Sequence, residues 1–161
     1  MGKGEELMEE TGALKDWFFD FFVEWEVKRS FRYQDYVSLL VIGPDRSPQD
    51  EENIRRLIEV VRRNIRETDL IGSLNGDGRR FGILLLCADL DVAYIVGSRI
   101  MDHVRKYSFP GEPGERLTIS IGGACFPTNT TEKEDLLRLA EEAFHEARKK
   151  GDSLFLSGFS I

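Results

Sequence analysis

The stretch IRETDLIGSLNGDGRRFGILLL, residues 65–86, decides how this chain is put together. Asp69 to Leu74 and Arg80 to Leu86 are apolar runs of strand length. The Asn75-Gly76-Asp77-Gly78 between them is built of residues that tolerate positive φ, so the segment predicts a β-hairpin. Just upstream, Ile54, Leu57, Ile58, Val61 and Ile65 recur at helical spacing, with Asp50, Glu51 and Glu52 placed to complement the dipole in the first turn. That helix is expected to carry Arg66 in its last turn and to hand the chain to the hairpin at Asp69.

Working outward, YVSLLVIG (36–43) is a continuous apolar run closed by Gly43-Pro44, the pattern of a central strand buried on both faces. Before it, LKDWFFDFFVEWEVKRSFRY (14–33) reads as a long helix ending in the basic Lys28, Arg29 and Arg32. Trp17, Phe18, Phe21, Phe22 and Trp25 are expected to bury one of its faces, and what stays exposed suits a neighbouring helix or a second subunit. After the hairpin, a helix from about Asp89 to Lys106 carries Val92, Val96, Ile100 and Val104 down one face. Then come a strand in ERLTISIGGACF, a capped helix in TEKEDLLRLAEEAFHEARKKG that stops at Gly151, and a last strand in SLFLSGF. Alternating helices and strands with one antiparallel hairpin give an α/β (α+β) fold. It has a central mixed, mostly antiparallel-edged sheet of about five strands flanked by helices. One domain over 1–161 is expected, with an N-terminal helix in 1–34 and the core in 35–161.

Composition sets limits. The chain has 161 residues, 41% hydrophobic and 32% charged, enough apolar content for one core. A net charge of −7 argues against nucleic acid or an anionic membrane as partner, since both are bound through clustered Lys and Arg. No apolar run is long enough to insert in a bilayer and MGKGEELMEETG lacks the order of a signal peptide, so a cytoplasmic location is expected. Cys87 and Cys125, without metal-ligand spacing, read as reduced core residues, and His103 and His145 lie in separate helices with no zinc pattern.

Three segments in order carry a resemblance: RYQDYVSLLVIGPD; RETDLIGSLNGDGRRFGILLLCAD; and LTISIGGACFP followed by AEEAFHEARKKG. Together they resemble the GGDEF domain of diguanylate cyclases, bacterial signalling enzymes that join two GTP molecules into cyclic di-GMP across a dimer. The resemblance implies the nucleotidyl-cyclase-like fold and a catalytic site whose carboxylates hold Mg²⁺ against substrate phosphates.

The chain departs from that pattern where the acids belong. The family's first metal aspartate falls at Gly43, and the second survives as Asp45. The hairpin reads Asn75-Gly76-Asp77-Gly78-Arg79-Arg80 before Phe81, two residues longer than the family motif, and arginine can neither ligate Mg²⁺ nor lose its proton. RSPQDEEN is cut short where the family holds guanine-recognising residues. Arg148 keeps a positive charge at the phosphate lysine, while Asp152 stands where a basic residue is usual. Catalysis is therefore expected to be lost, with no catalytic residue, metal or cofactor. For Arg79 and Arg80 themselves, a salt bridge to nearby acids and a basic surface for a nucleotide or acidic segment both stand.

The family's product-binding site is better kept. Arg66 and Asp69 form its Arg-x-x-Asp pair at the same spacing ahead of Asn75, and Arg99 falls at its second arginine. A guanidinium can meet a guanine edge or a phosphate bidentately, and a carboxylate can accept from guanine N–H groups. The same residues also fit a helix-end cation with an ordinary i,i+3 partner and a solvated arginine. The expected function is an inactive GGDEF-like receptor for cyclic di-GMP, acting on an unidentified protein partner or upstream regulatory domain, with a homodimer possible. The alternatives are a dimerisation or interaction scaffold that binds no nucleotide, and a GTP-binding remnant at Asp45, Asp77 and Arg148.

Overall fold

A computed structural model of the chain describes residues 7–48, 50–74, 77–112 and 116–159, with only the backbone of Asp77 and Gly78. The elements are α1 (Asp16–Tyr33), β1 (Val37–Pro44), α2 (Glu52–Arg62), β2 (Leu70–Leu74), β3 (Asp77–Leu86), α3 (Leu90–Lys106), β4 (Ile119–Phe126), α4 (Lys133–Lys150) and β5 (Leu154–Leu156). They form one sheet in the order β2-β3-β1-β4-β5. Every pairing is antiparallel except β4 with β5, which is parallel.

β1 lies in the middle and is buried along its whole length. Its alternate side chains feed two cores. Leu40 and Ile42 join Phe81, Ile83, Ile119 and Ile121 under α2 and α3, whereas Val37, Leu39 and Val41 join Leu84, Ala124 and Phe126 under α1 and α4. The period-2 alternation of a strand with two apolar faces thus makes a three-layer α+β fold.

Several expectations are corrected. α1 buries Phe19, Val23 and Val27, and leaves Trp17, Phe21 and Trp25 at 57%, 52% and 58% exposure. The reason is a slot in the sheet. Gly72 and Gly82 are cross-strand partners, and a Cβ on either would stand 2.1 Å and 2.5 Å from Phe19. Phe19 fills that slot, and with it inside Trp17, Phe21 and Trp25 face outward.

α2 ends at Arg62, so Arg66 lies in the following turn and not in a last helical turn. Asp50 sits just ahead of the helix, where its side chain accepts the Glu52 N–H at 3.0 Å. β3 begins at Asp77, so Asp77 and Gly78 are strand residues and not loop; Asn75 and Gly76 lie outside the described residues. Val92 is exposed, and the inner face of α3 is Ala93, Val96, Gly97, Ile100, Met101 and Val104. Its Asp89 cap accepts the Val92 N–H at 3.0 Å. α4 has no side-chain cap at its start but stops at Gly151 with φ +78°. Cys125 is buried, while Cys87 is exposed at the end of β3 and not in the core.

Candidate functional site

The turn between α2 and β2 is closed by Asp69. Its Oδ2 accepts the Arg66 backbone N–H at 3.0 Å, its Oδ1 accepts the Leu86 N–H at 3.0 Å, and its own N–H donates to Arg66 O at 3.0 Å. The carboxylate is only 2% exposed and ties this turn to the end of β3. Such charge-assisted bonds to backbone N–H groups are the strong kind.

The Arg66 side chain extends outward, 56% exposed, with Nε 3.5 Å from Asp69 Oδ2 and a terminal nitrogen donating to Leu86 O. From α3, Arg99 donates to the carbonyl of Asn64 in the same turn. One helical turn on, His103 Nδ1 lies 2.6 Å from Asn64 Oδ1, whose amide nitrogen donates to Val60 O. Arg66, Asp69 and Arg99 thus all contact one turn, with Arg66 and Arg99 both exposed and Arg66 keeping its i,i+3 partner Asp69. What the sequence reading missed is Asn64 with His103, although the i,i+4 spacing of Arg99 and His103 places both on one helix face. Chemically, the turn presents a guanidinium whose exposed edge can take a phosphate or a guanine. Asp69 keeps lone pairs beyond those it has committed.

The second cluster lies at the end of β1. A small cavity of about 110 Å³ is lined by Gly43, Pro44, Arg46, Ser47, Arg79, Arg80, Phe144 and Arg148. No carboxylate appears among the described residues that line it. A Cβ at Gly43 would stand 3.2 Å from both Phe144 Cζ and the Arg79 carbonyl, so that position is crowded.

Asp45 is committed elsewhere. Its carboxylate accepts the Thr118 and Ser120 hydroxyls at 2.6 Å each and the Asp152 N–H at 2.8 Å, fastening the end of β1 to β4 and to the turn after α4. Arg79 binds Ser47 and Glu51, and Arg80 lies 3.7 Å from Glu141, so the salt-bridge reading holds for both. The Arg148 guanidinium stands 5.9 Å from the Phe144 ring, and the Asp152 side chain accepts from Arg105. Among the described residues, no group of three or more His, Cys, Asp or Glu side chains is placed to hold a metal ion.

Comparison with known proteins agrees with the fold. The family description "Diguanylate cyclase, GGDEF domain" matches residues 49–153. The chain is 28% identical over 111 residues to the probable diguanylate cyclase DgcT of Escherichia coli K12, a match of 65% of this chain to 23% of that protein. The chain spans about a quarter of the curated relatives it matches. Among solved structures, the GGDEF domain of TpbB (YfiN) from Pseudomonas aeruginosa superposes with a TM-score of 0.84 at 20% identity, covering 93% of this chain and 94% of that one. The GGDEF domain of DgcB from Caulobacter crescentus, solved in complex with c-di-GMP, gives 0.84 at 13% identity over 99% and 97%. At these identities the likeness is one of fold.

Proposed function

The chain belongs to the GGDEF family of diguanylate cyclase domains, and from that membership we propose that it is a non-catalytic member that binds cyclic di-GMP at the turn carrying Arg66, Asp69 and Arg99. The observation that carries this reading is the convergence at one turn. Arg66 projects from it, Asp69 closes it and Arg99 reaches it from α3. Two guanidinium groups that contact the turn closed by a buried carboxylate suit a ligand with two phosphates and two guanines.

The other cluster supports the reading that catalysis is lost. Gly43 supplies no side-chain carboxylate, Asp45 is held by Thr118, Ser120 and Asp152, and arginines stand at the hairpin. The same engagement of Asp45 counts against a GTP-binding remnant. The receptor would act in the cytoplasm through a change in its contacts with a protein partner or an upstream domain. A scaffold that binds no nucleotide is the second reading, favoured by the exposed aromatics of α1.

Isothermal titration with cyclic di-GMP, with GTP plus Mg²⁺ in parallel, tests the proposal. Binding of cyclic di-GMP that Arg66→Ala abolishes is the expected result. Silence with both nucleotides would overturn it and leave the scaffold.

A further inference from the structure

α1 and α4 cover the same face of the sheet without closing over it. The Phe19 slot seats α1 on β2, while α4 packs on β1 and β4, and a cleft of about 420 Å³ is left between the two helices. Its lining is apolar at the bottom, with Leu39 of β1, Val23 of α1 and Leu137 of α4. Trp17, still 57% exposed, adds an aromatic surface. A mostly apolar hollow with a few polar groups is the usual build of a small-molecule site, for which about 300–1,000 Å³ is typical.

The charged groups along the cleft select what it holds. Asp16, Asp20 and Glu134 stand against a single cation, Lys133. That cation is already committed, with Nζ 2.9 Å from Asp20 Oδ2 and 3.7 Å from Glu24 Oε2. An anionic ligand would have to break the Asp20 ion pair to reach it. Asp16 uses Oδ1 to accept the Trp17 N–H at 2.7 Å, and among the described residues neither Asp16 nor Glu134 has a salt-bridge partner. The N-termini of α1 and α4 supply roughly half a positive charge each, together less than the surplus of two carboxylates, so the cleft still attracts a cation. The indole of Trp17 adds to that attraction, because ammonium and guanidinium groups are drawn to the faces of Trp rings.

We propose that the cleft between α1 and α4 binds a small amphiphile, an aryl or alkyl body carrying one ammonium or guanidinium group. The body lies against Leu39, Val23 and Leu137, and the cation is held by the acidic lining beside Trp17. The inference is independent of nucleotide binding, since none of these residues belongs to the Asp69 turn.

Two probes that differ only in charge test it: 4-phenylbutylamine and 4-phenylbutyrate. Trp17 and Trp25 are the only tryptophans, so in a Trp25→Phe background the fluorescence reports on Trp17 alone. Titration with the amine should shift that emission saturably, and the carboxylate should bind at least roughly tenfold more weakly. Asp16→Asn/Glu134→Gln, which removes two charges outside the core, should weaken the amine several-fold with unchanged circular dichroism. Leu137→Phe, which fills the cleft from α4, should abolish its binding. No saturable shift with the amine overturns the proposal. Equal affinity for the two probes overturns it as well, since the apolar body alone would then be recognised. Undiminished binding to a folded Leu137→Phe protein would place the probe elsewhere and overturn it equally.

Discussion

Phe19 lies against Gly72 so closely that a Cβ on the glycine would fall 2.1 Å from its ring. The contact locks α1 to the strand that leaves the Asp69 turn. Overpacking a filled core typically destabilises by about 1–3 kcal/mol and occasionally more, and Gly72→Ala is expected at or above the top of that range. Phe19→Ala should cost about 3–5 kcal/mol. The double variant should cost less than the sum, because the smaller side chain makes room for the new methyl. Trp25→Ala, at an exposed site, should stay within about 0.5 kcal/mol. Urea unfolding of the four proteins measures all of these, and an additive double variant would show that the slot is not shared.

Arg66 and Asp69 separate binding from stability. Removing the exposed Arg66 side chain should abolish cyclic di-GMP binding and change stability by less than about 1 kcal/mol. Asp69→Ala leaves the Arg66 and Leu86 N–H groups without their acceptor, at about 1–3 kcal/mol for each buried group left unmet. Titration calorimetry beside thermal melts distinguishes them. Equal melting losses in the two variants would contradict this assignment.

Restoring one acid should not restore turnover. Gly43→Asp places a Cβ 3.2 Å from Phe144 Cζ and the Arg79 carbonyl, and the new carboxylate would meet the arginines of the cavity before any cation. GTP incubated with Mg²⁺ and this variant is expected to yield no cyclic di-GMP by chromatography, and product above the wild-type background would refute that.

Cys87 is exposed yet should be a slow nucleophile. Its thiol donates to Asp35 Oδ2 at 3.0 Å, and that bond, with burial and the nearby carboxylate charge, raises its pKa against the weaker opposing effect of Arg29. A raised folded-state value means the contact contributes stability below the ordinary thiol range and loses it as pH rises through the raised value. Reaction with a disulfide reagent near pH 8 should be several-fold slower than for the unfolded chain, since only the thiolate attacks. Asp35→Asn should accelerate it, and an unchanged rate would remove Asp35 from the account.

The strands and their succession along the chain were legible because β1, β4 and the Phe81–Leu86 part of β3 are apolar runs separated by turn residues, whereas the sheet order β2-β3-β1-β4-β5 was not. The buried face of α1 was not. Aromatics occupy three adjacent ridges there, so periodicity alone cannot choose Phe19, and the choice is made by the Gly72 and Gly82 slot across the sheet. The Arg66, Asp69 and Arg99 grouping was visible as spacing, but its hinge, Asn64, was not, because its partners Arg99 and His103 lie 35 and 39 residues away. Asp45 read as a surviving metal candidate for the same reason. Thr118, Ser120 and Asp152 claim it only once β4 and the turn after α4 lie alongside.

Leu14 donates its N–H to Ile71 O and accepts from the Ser73 N–H, forming a single parallel bridge along the outer side of β2. The opposite border of the sheet is β5, only three residues long. Open strand borders are the usual templates for runaway aggregation, and here one is occupied and the other too short to recruit a neighbour. The protein can therefore display an aromatic helix to solvent without also offering a long open strand edge for pairing.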